Sequence, residues 1–178
     1  DACQVAISDQ NITVEGDLDT ATANLLNDTT TVTVTATIAS SEVSILKLLR
    51  GTNAYTITIA PGDAAVSASD LNAINALTTE AVDLTNVSSI TSSSLEDLGT
   101  LATAIDDSEF SNAGSLNTIA VSDMTIDATT LASTIDSYDT INGVSGTTDM
   151  TLASGATINV DSGEITHMLA DETANRLT

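Results

Sequence analysis

The chain has 178 residues, of which 42% are hydrophobic and only 2% aromatic, and its formal net charge is −22. This charge argues against binding nucleic acid, because neutralising phosphates requires a basic surface, and against docking on an anionic membrane. The hydrophobic content is enough for a folded core, so the length predicts one domain over residues 1–178. No run of 18 apolar residues occurs, so membrane insertion is not expected.

The N-terminal residues 1–15 contain two short β-like runs and are predicted to form a cap or an assembly strand. Cys3 is the sole cysteine, so it is either a free thiol near the end of the chain or a bridge between two chains. Residues 17–26 predict a first helix, with Asp17 and Asp19 in its opening turn, where the helix dipole favours acids.

Two strand-and-helix patterns follow. Residues 31–36 alternate valine with threonine, which predicts a half-buried strand. Ser40 is expected to cap the next helix, and Gly51 is a typical stop signal just after its end. Residues 55–60 repeat the alternating strand, and the turn that begins at Pro61 ends it.

Residues 66–101 hold two copies of one phrase: an apolar residue, a serine cluster, an acid, and leucine or isoleucine at helical spacing. Ser67 stands three residues before Asp70, and Ser93 stands three residues before Glu96. Both pairs predict a capping box, in which the serine side chain accepts a hydrogen bond at the start of a helix. A recurring strand and helix indicate a repeat architecture.

The remaining segments continue the pattern. Residues 81–87 alternate like a strand, and residues 106–115 are a polar loop or insertion that Phe110 is expected to anchor. The C-terminal third predicts strands at 117–121, 149–153 and 156–160, a helix after Asp127, and a last helix.

These elements predict an α/β fold, an irregular solenoid of about five or six coils. Each coil runs strand, turn, short strand, helix, with parallel strands on one wall and helices on the other, and the connections are right-handed. A parallel β-helix is the alternative. The residues expected to share one continuous core are Val32, Val34, Leu46, Ile57, Ile59, Leu71, Ile74, Leu84, Leu95 and Leu98.

The run LNAINALTTEAVDLTNVSSITSSSLEDLGTLATA resembles repeats of very long extracellular proteins from marine cyanobacteria and related sequences in their phages. The counterparts of the family's helix, turn, strand and connection are Leu71-Asn72-Ala73-Ile74, Thr78-Thr79, Val82-Asp83-Leu84-Thr85 and Ser89-Ile90-Thr91-Ser92. The resemblance covers mainly residues 66–104. It implies a surface, fibre or matrix component, outside the cell or on a virion, and brings no catalytic residues with it.

Acidic side chains are the only candidates for a metal site. Calcium requires several oxygen ligands in one place, and neither an EF-hand loop nor a Gly-rich calcium nonapeptide occurs. The alternative role of these acids is to cap helices and to occupy their first turns. The candidate calcium ligands are Asp17, Asp19, Asp106, Asp107, Asp161 and Glu164.

No catalytic constellation stands out, so the chain is expected not to be an enzyme. A solenoid glycoside hydrolase would need paired carboxylates and usually aromatic platforms, and the chain has three aromatic residues. The leading hypothesis is a structural subunit of an extracellular filament, fibre or surface layer that associates end to end into a homo-oligomer. The alternative is a calcium-dependent adhesin, or a phage-fibre module that binds a surface receptor or glycan.

End-to-end association follows from the expectation that a solenoid leaves unpaired strand edges and open apolar layers at its ends. Neither end of the sequence carries a strongly polar cap. The candidate assembly residues are Cys3, Val5, Ile7, Ile165, Met168 and Leu169.

Overall fold

The structure is a computed structural model that describes residues 11–114, 116, 118–142 and 149–160. The helices in these ranges are α1 (Thr20–Thr29), α2 (Val43–Leu46), α3 (Ala68–Asn75), α4 (Leu95–Asp106) and α5 (Ala128–Asn142). The strands are β1 (Ile12–Leu18), β2 (Val34–Ile38), β3 (Ala54–Thr56), β4 (Ala65–Ser67), β5 (Val82–Asp83), β6 (Ser89–Ser93), β7 (Phe110–Ser111), β8 (Thr118–Val121), β9 (Thr125–Asp127), β10 (Asp149–Leu152) and β11 (Thr157–Asn159).

Every pairing between these named strands is parallel. The strand orders are β1-β2-β3, β10-β8-β6-β4, β11-β9 and β5-β7, and no sheet closes into a barrel. The prediction of an α/β fold with short parallel strands is therefore confirmed. Helices α1, α3, α4 and α5 each follow a strand, either directly or after one residue. The strand before each of these helices pairs with a strand that comes later in the chain. We call the stretch from the end of one helix to the end of the next a unit, so each described helix closes one unit and β10 and β11 belong to the last described one.

Register between units is set by apolar side chains that lie beside one another in neighbouring strands. Val66 pairs with Ile90, Ile90 with Ile119, and Ile119 with Met150. All four are buried. A shift of one residue would turn each of these side chains to the solvent face, so this row strongly specifies the alignment of the four strands.

One continuous core contains nine of the ten residues predicted to share it. Val32 was wrongly placed there, because β2 begins at Val34 and leaves Val32 half-buried in the preceding segment. Tyr55, Ile57 and Ile59 are fully buried, as the alternation of residues 55–60 predicts.

Polar side chains inside the core tie the units together. Asn53 accepts a hydrogen bond from the Val34 amide at 2.9 Å and donates one to Asn27 at 3.0 Å. The hydroxyl of Thr78 accepts from the Tyr55 amide and donates to the Tyr55 carbonyl. These groups are buried or partly buried, and satisfying them avoids the cost of an unpaired polar atom away from water.

Four helices carry a side-chain cap from the residue just before them. The capping pairs, acceptor first, are Asp19 with the Thr22 amide, Ser67 with that of Asp70, Ser94 with that of Asp97, and Asp127 with that of Thr130. The cap at Ser67 is confirmed. The first helix starts at Thr20, so Asp17 lies in β1 and the prediction of a helix from residue 17 was wrong.

Ser93 does not cap the helix that follows it, so that prediction was wrong, and Ser94 takes that position. The pairing of β6 with β8 shifts between Ile90 and Ser93, and Ser93 turns inward, where it is 3% exposed. Its hydroxyl accepts a hydrogen bond of 2.8 Å from the amide of Ala68, the first residue of α3. Ser93 therefore caps the helix of the preceding unit.

The same arrangement occurs at two more helices. The amide of Val43, which opens α2, donates to Asp63 Oδ2 at 2.5 Å, and the amide of Leu95, which opens α4, donates to Asp123 Oδ2 at 2.7 Å. We call these contacts and the one made by Ser93 forward caps, because in each the acceptor lies 20 to 28 residues further along the chain. They satisfy amides that no residue inside the helix can reach.

Three other predictions need correction. α2 has Glu42 at its N-cap position without a side-chain hydrogen bond, so Ser40 does not cap it. Residues 81–87 form only the two-residue strand β5, since Leu84 and Val87 are buried in the turn after it. Residues 106–115 are not only a loop, because β7 lies within them and pairs with β5 through the buried Phe110.

Candidate assembly surfaces

The first pair of calcium candidates has separate positions and partners. Asp17 is exposed on β1, opposite Thr37 of β2. Asp19 uses its carboxylate to accept the Thr22 amide at 2.7 Å. This hydrogen bond, followed by one from the Thr22 hydroxyl, holds the pKa of Asp19 below its ordinary value. Asp19 therefore acts as a helix cap in this structure.

Asp106 and Asp107 lie at the C-terminal end of a helix, whereas Asp19 lies at an N-terminal end. Asp106 is the last residue of α4 and Asp107 is its C-cap, and both are exposed. The negative end of the helix dipole disfavours acids there. Among the described residues, no group of three or more His, Cys, Asp or Glu side chains lies close enough together to hold a metal ion.

The other candidates lie outside the described residues. They are the calcium candidates Asp161 and Glu164 and the assembly candidates Cys3, Val5, Ile7, Ile165, Met168 and Leu169.

Open strand edges occur in the described part of the chain. Towards the two ends of the described chain, β1 pairs only with β2, β10 only with β8, and β11 only with β9, and the strands between them that also pair with a single named strand are β3, β4, β5, β7 and β9. The Ile12 amide donates to Thr33 on the β2 side, so the next amide, that of Thr13, points to the other side. Such an edge presents unpaired N–H and C=O groups that another strand can complete.

A groove of about 360 Å³ lies between α3 and α4. Asn72 and Asn75 of α3 line it, as do Thr103 of α4, Asp107 and Glu109. Glu109 already accepts a hydrogen bond from Asn75. The groove is open to solvent, and its exposed lining is more apolar than polar. The sequence patterns did not predict it, because its residues come together only when the two helices pack.

The helix face of the first two units is unusual in exposing large apolar side chains. Leu25 and Leu48 are each 63% exposed, and Ile45 is 43% exposed. Sequence reasoning placed Leu46 in the core correctly. It missed this surface because it made no prediction for Ile45 and Leu48, which helical spacing leaves off the buried stripe.

No protein-family model, curated protein or solved structure matches this chain. Within the described residues, no helix has the length and apolar character needed to cross a membrane.

Proposed function

We propose that this chain is a non-enzymatic structural module of an extracellular or virion-surface filament, fibre or surface layer. In this proposal the chain is one α/β solenoid domain over residues 1–178, and copies stack end to end. The single observation that carries the proposal concerns the described residues alone: their sheets end in strands with one unpaired side at both ends of the chain, β1 in the first unit and β10 and β11 in the last described one.

The solenoid is supported by contacts that recur from one unit to the next. The apolar row from Val66 to Met150 crosses four strands in one register, and forward caps join α2, α3 and α4 to the chain that follows each of them. A stack of units in which each contacts its neighbours is the arrangement of a solenoid.

End-to-end stacking is supported by the difference between the two edges. A contact between β1 of one copy and β10 or β11 of another joins two different surfaces. Such a heterologous contact leaves a free edge at each end and therefore propagates into a filament. The net charge of −22 opposes close approach, so assembly should strengthen as salt screens the repulsion. The same charge is typical of an extracellular setting of high ionic strength.

The test is Thr13→Pro, with Thr13→Val as the matched control. Proline removes the outward amide of β1 and leaves the hydrogen bond from Ile12 to Thr33 in place, and proline is tolerated on strand edges. We expect filaments of the wild type and of Thr13→Val in electron micrographs at high NaCl, and short particles of Thr13→Pro under the same conditions.

Sedimentation between low and high NaCl supplies the quantitative readout, with a second series in calcium at constant ionic strength. The proposal is wrong if the wild type stays monomeric at every salt concentration, or if Thr13→Pro assembles as well as Thr13→Val. A monomer that calcium stabilises against heat would instead favour the adhesin.

A further inference from the structure

One exposed apolar surface lies on the helices, away from the strand edges. Its members are Leu25 of α1, Ile45 of α2, and Leu48 just after α2, and we call them the leucine patch. The side chain of Asn24 donates a hydrogen bond of 2.8 Å to the Leu48 carbonyl, which holds the two parts of the patch together. Removing apolar surface of this kind from water lowers the free energy.

The charges beside the patch distinguish it from the rest of the chain. Lys47 is adjacent to Leu48, and Arg50 follows Leu48 by two residues. They are the only Lys or Arg residues in the described part of a chain whose net charge is −22. Lys47 pairs with Asp70 of α3, and Arg50 pairs with Asp28 of α1 at 2.9 Å. Each of the two cations therefore neutralises one acid beside the patch, while the remaining surface is mostly acidic.

Arg50 keeps the capacity for a second partner. Its side chain is 64% exposed and contacts Asp28 through one terminal nitrogen, whereas a guanidinium offers five N–H donors. A carboxylate from another molecule can approach without breaking the existing pair.

We propose that the leucine patch docks against the leucine patch of a second copy of this chain in a two-fold contact. A two-fold contact places the same surface on both sides, so each patch brings the cation Arg50 and the acids Asp28 and Asp70 to the contact, and Arg50 of one copy can pair with an acid of the other. The other described faces of a second copy offer no Lys or Arg to the acids beside the patch. The contact is lateral, does not depend on end-to-end stacking, and would pair filaments side by side if they form.

Sedimentation equilibrium of Leu48→Ser, compared with Met124→Ser, tests the proposal. Met124 is a matched control because it is 55% exposed and lies outside the patch. Both chains carry Thr13→Pro, which removes the proposed end-to-end contact and so separates the two proposals. We expect a dimer whose dissociation constant rises about tenfold or more with Leu48→Ser, since two leucines leave the interface, and is unchanged with Met124→Ser.

Two further experiments sharpen the result. Arg50→Gln should weaken the dimer, and the difference from the parent chain should shrink as NaCl rises. Leu48→Cys with Cys3→Ser should give a covalent dimer on treatment with a short bismaleimide, and Met124→Cys with Cys3→Ser should not.

Three outcomes would overturn the proposal: a monomer at all concentrations, equal effects of Leu48→Ser and Met124→Ser, or cross-linking of Leu48→Cys within one chain when Cys3 is kept. The last would mean that the N-terminal segment, rather than a second copy, covers the patch.

Discussion

Replacing Ser93 with alanine tests the forward cap that joins the units of β4–α3 and β6–α4. The Ser93 hydroxyl is the acceptor for the Ala68 amide at 2.8 Å, and it donates to the Thr91 carbonyl at 2.7 Å. Ala68 is fully buried, so water cannot replace the lost acceptor without entering the core.

The magnitude follows from that burial. A buried amide left without an acceptor costs about 1–3 kcal/mol, and loss of an N-terminal cap costs about 0.5–2 kcal/mol. These figures describe the same missing hydrogen bond, so they are not added. We expect Ser93→Ala to lower the free energy of unfolding by about 2 kcal/mol, which for a chain of this length is roughly 4–8 °C in Tm.

Urea denaturation followed by circular dichroism measures this change. Ser92→Ala is the control, because Ser92 is an exposed serine next to Ser93 and should be nearly neutral. Hydrogen exchange locates the effect. The Ala68 amide should exchange faster in Ser93→Ala, and the Asp97 amide, which Ser94 caps, should keep its protection.

The reasoning fails if Ser93→Ala costs no more than Ser92→Ala. It also fails if exchange accelerates at the start of α4 and not at Ala68, because Ser93 would then act on its own helix.

Leu71→Ala should lower the free energy of unfolding by about 2–5 kcal/mol in urea denaturation, because Leu71 is fully buried. Leu25→Ala is the control and should cost far less, because Leu25 is 63% exposed. Equal costs would contradict the packing. The pKa of Asp127 lies below its ordinary 3.8, chiefly because the Thr130 amide donates to the carboxylate. Its contribution to stability is therefore present above pH 3.8 and is lost as pH falls through the lowered pKa. The stability of Asp127→Asn should therefore depend less steeply on pH in acid than that of the wild type. An unchanged profile of stability against pH would refute this. Burial raises the pKa of Tyr138 above its ordinary 10.0, so unfolding in alkali releases a proton and stability should fall above pH 10. Tyr138→Phe should remove this part of the pH dependence, as measured by Tm from pH 8 to 11, and an undiminished fall would exclude Tyr138 as its cause.

Strong local patterns predicted the core well. Tyr55, Ile57 and Ile59 alternate with polar residues, and nothing nearby competes with their burial. Ser67 was identified as a cap because two signals place the start of the helix at the same position: the acid three residues later and the apolar helix face. Where several local signals point to the same structure, sequence alone is sufficient.

The failures occurred where local chemistry was ambiguous. Ser92, Ser93 and Ser94 are equally suitable caps, and the choice among them is made by the register shift between β6 and β8. That shift depends on a strand almost 30 residues away. Asp63 and Asp123 lie in turns, where an acid is unremarkable, so their role at the helices of other units has no local signal. The leucine patch was missed because Ile45 and Leu48 fall off the buried stripe of α2, and spacing alone does not show whether another element covers them.

Forward caps have a consequence for how chains of this type can change in length. Each helix that carries one is completed by a side chain belonging to the sequence after it, as α4 is by Asp123. Deleting that later stretch by recombination would leave the earlier helix with an amide that no residue satisfies. Duplication of a whole unit would bring an equivalent acceptor with it. Evolution by copying entire units is therefore less costly than trimming at the C-terminal side, and the acceptor must be inherited with the segment that provides it.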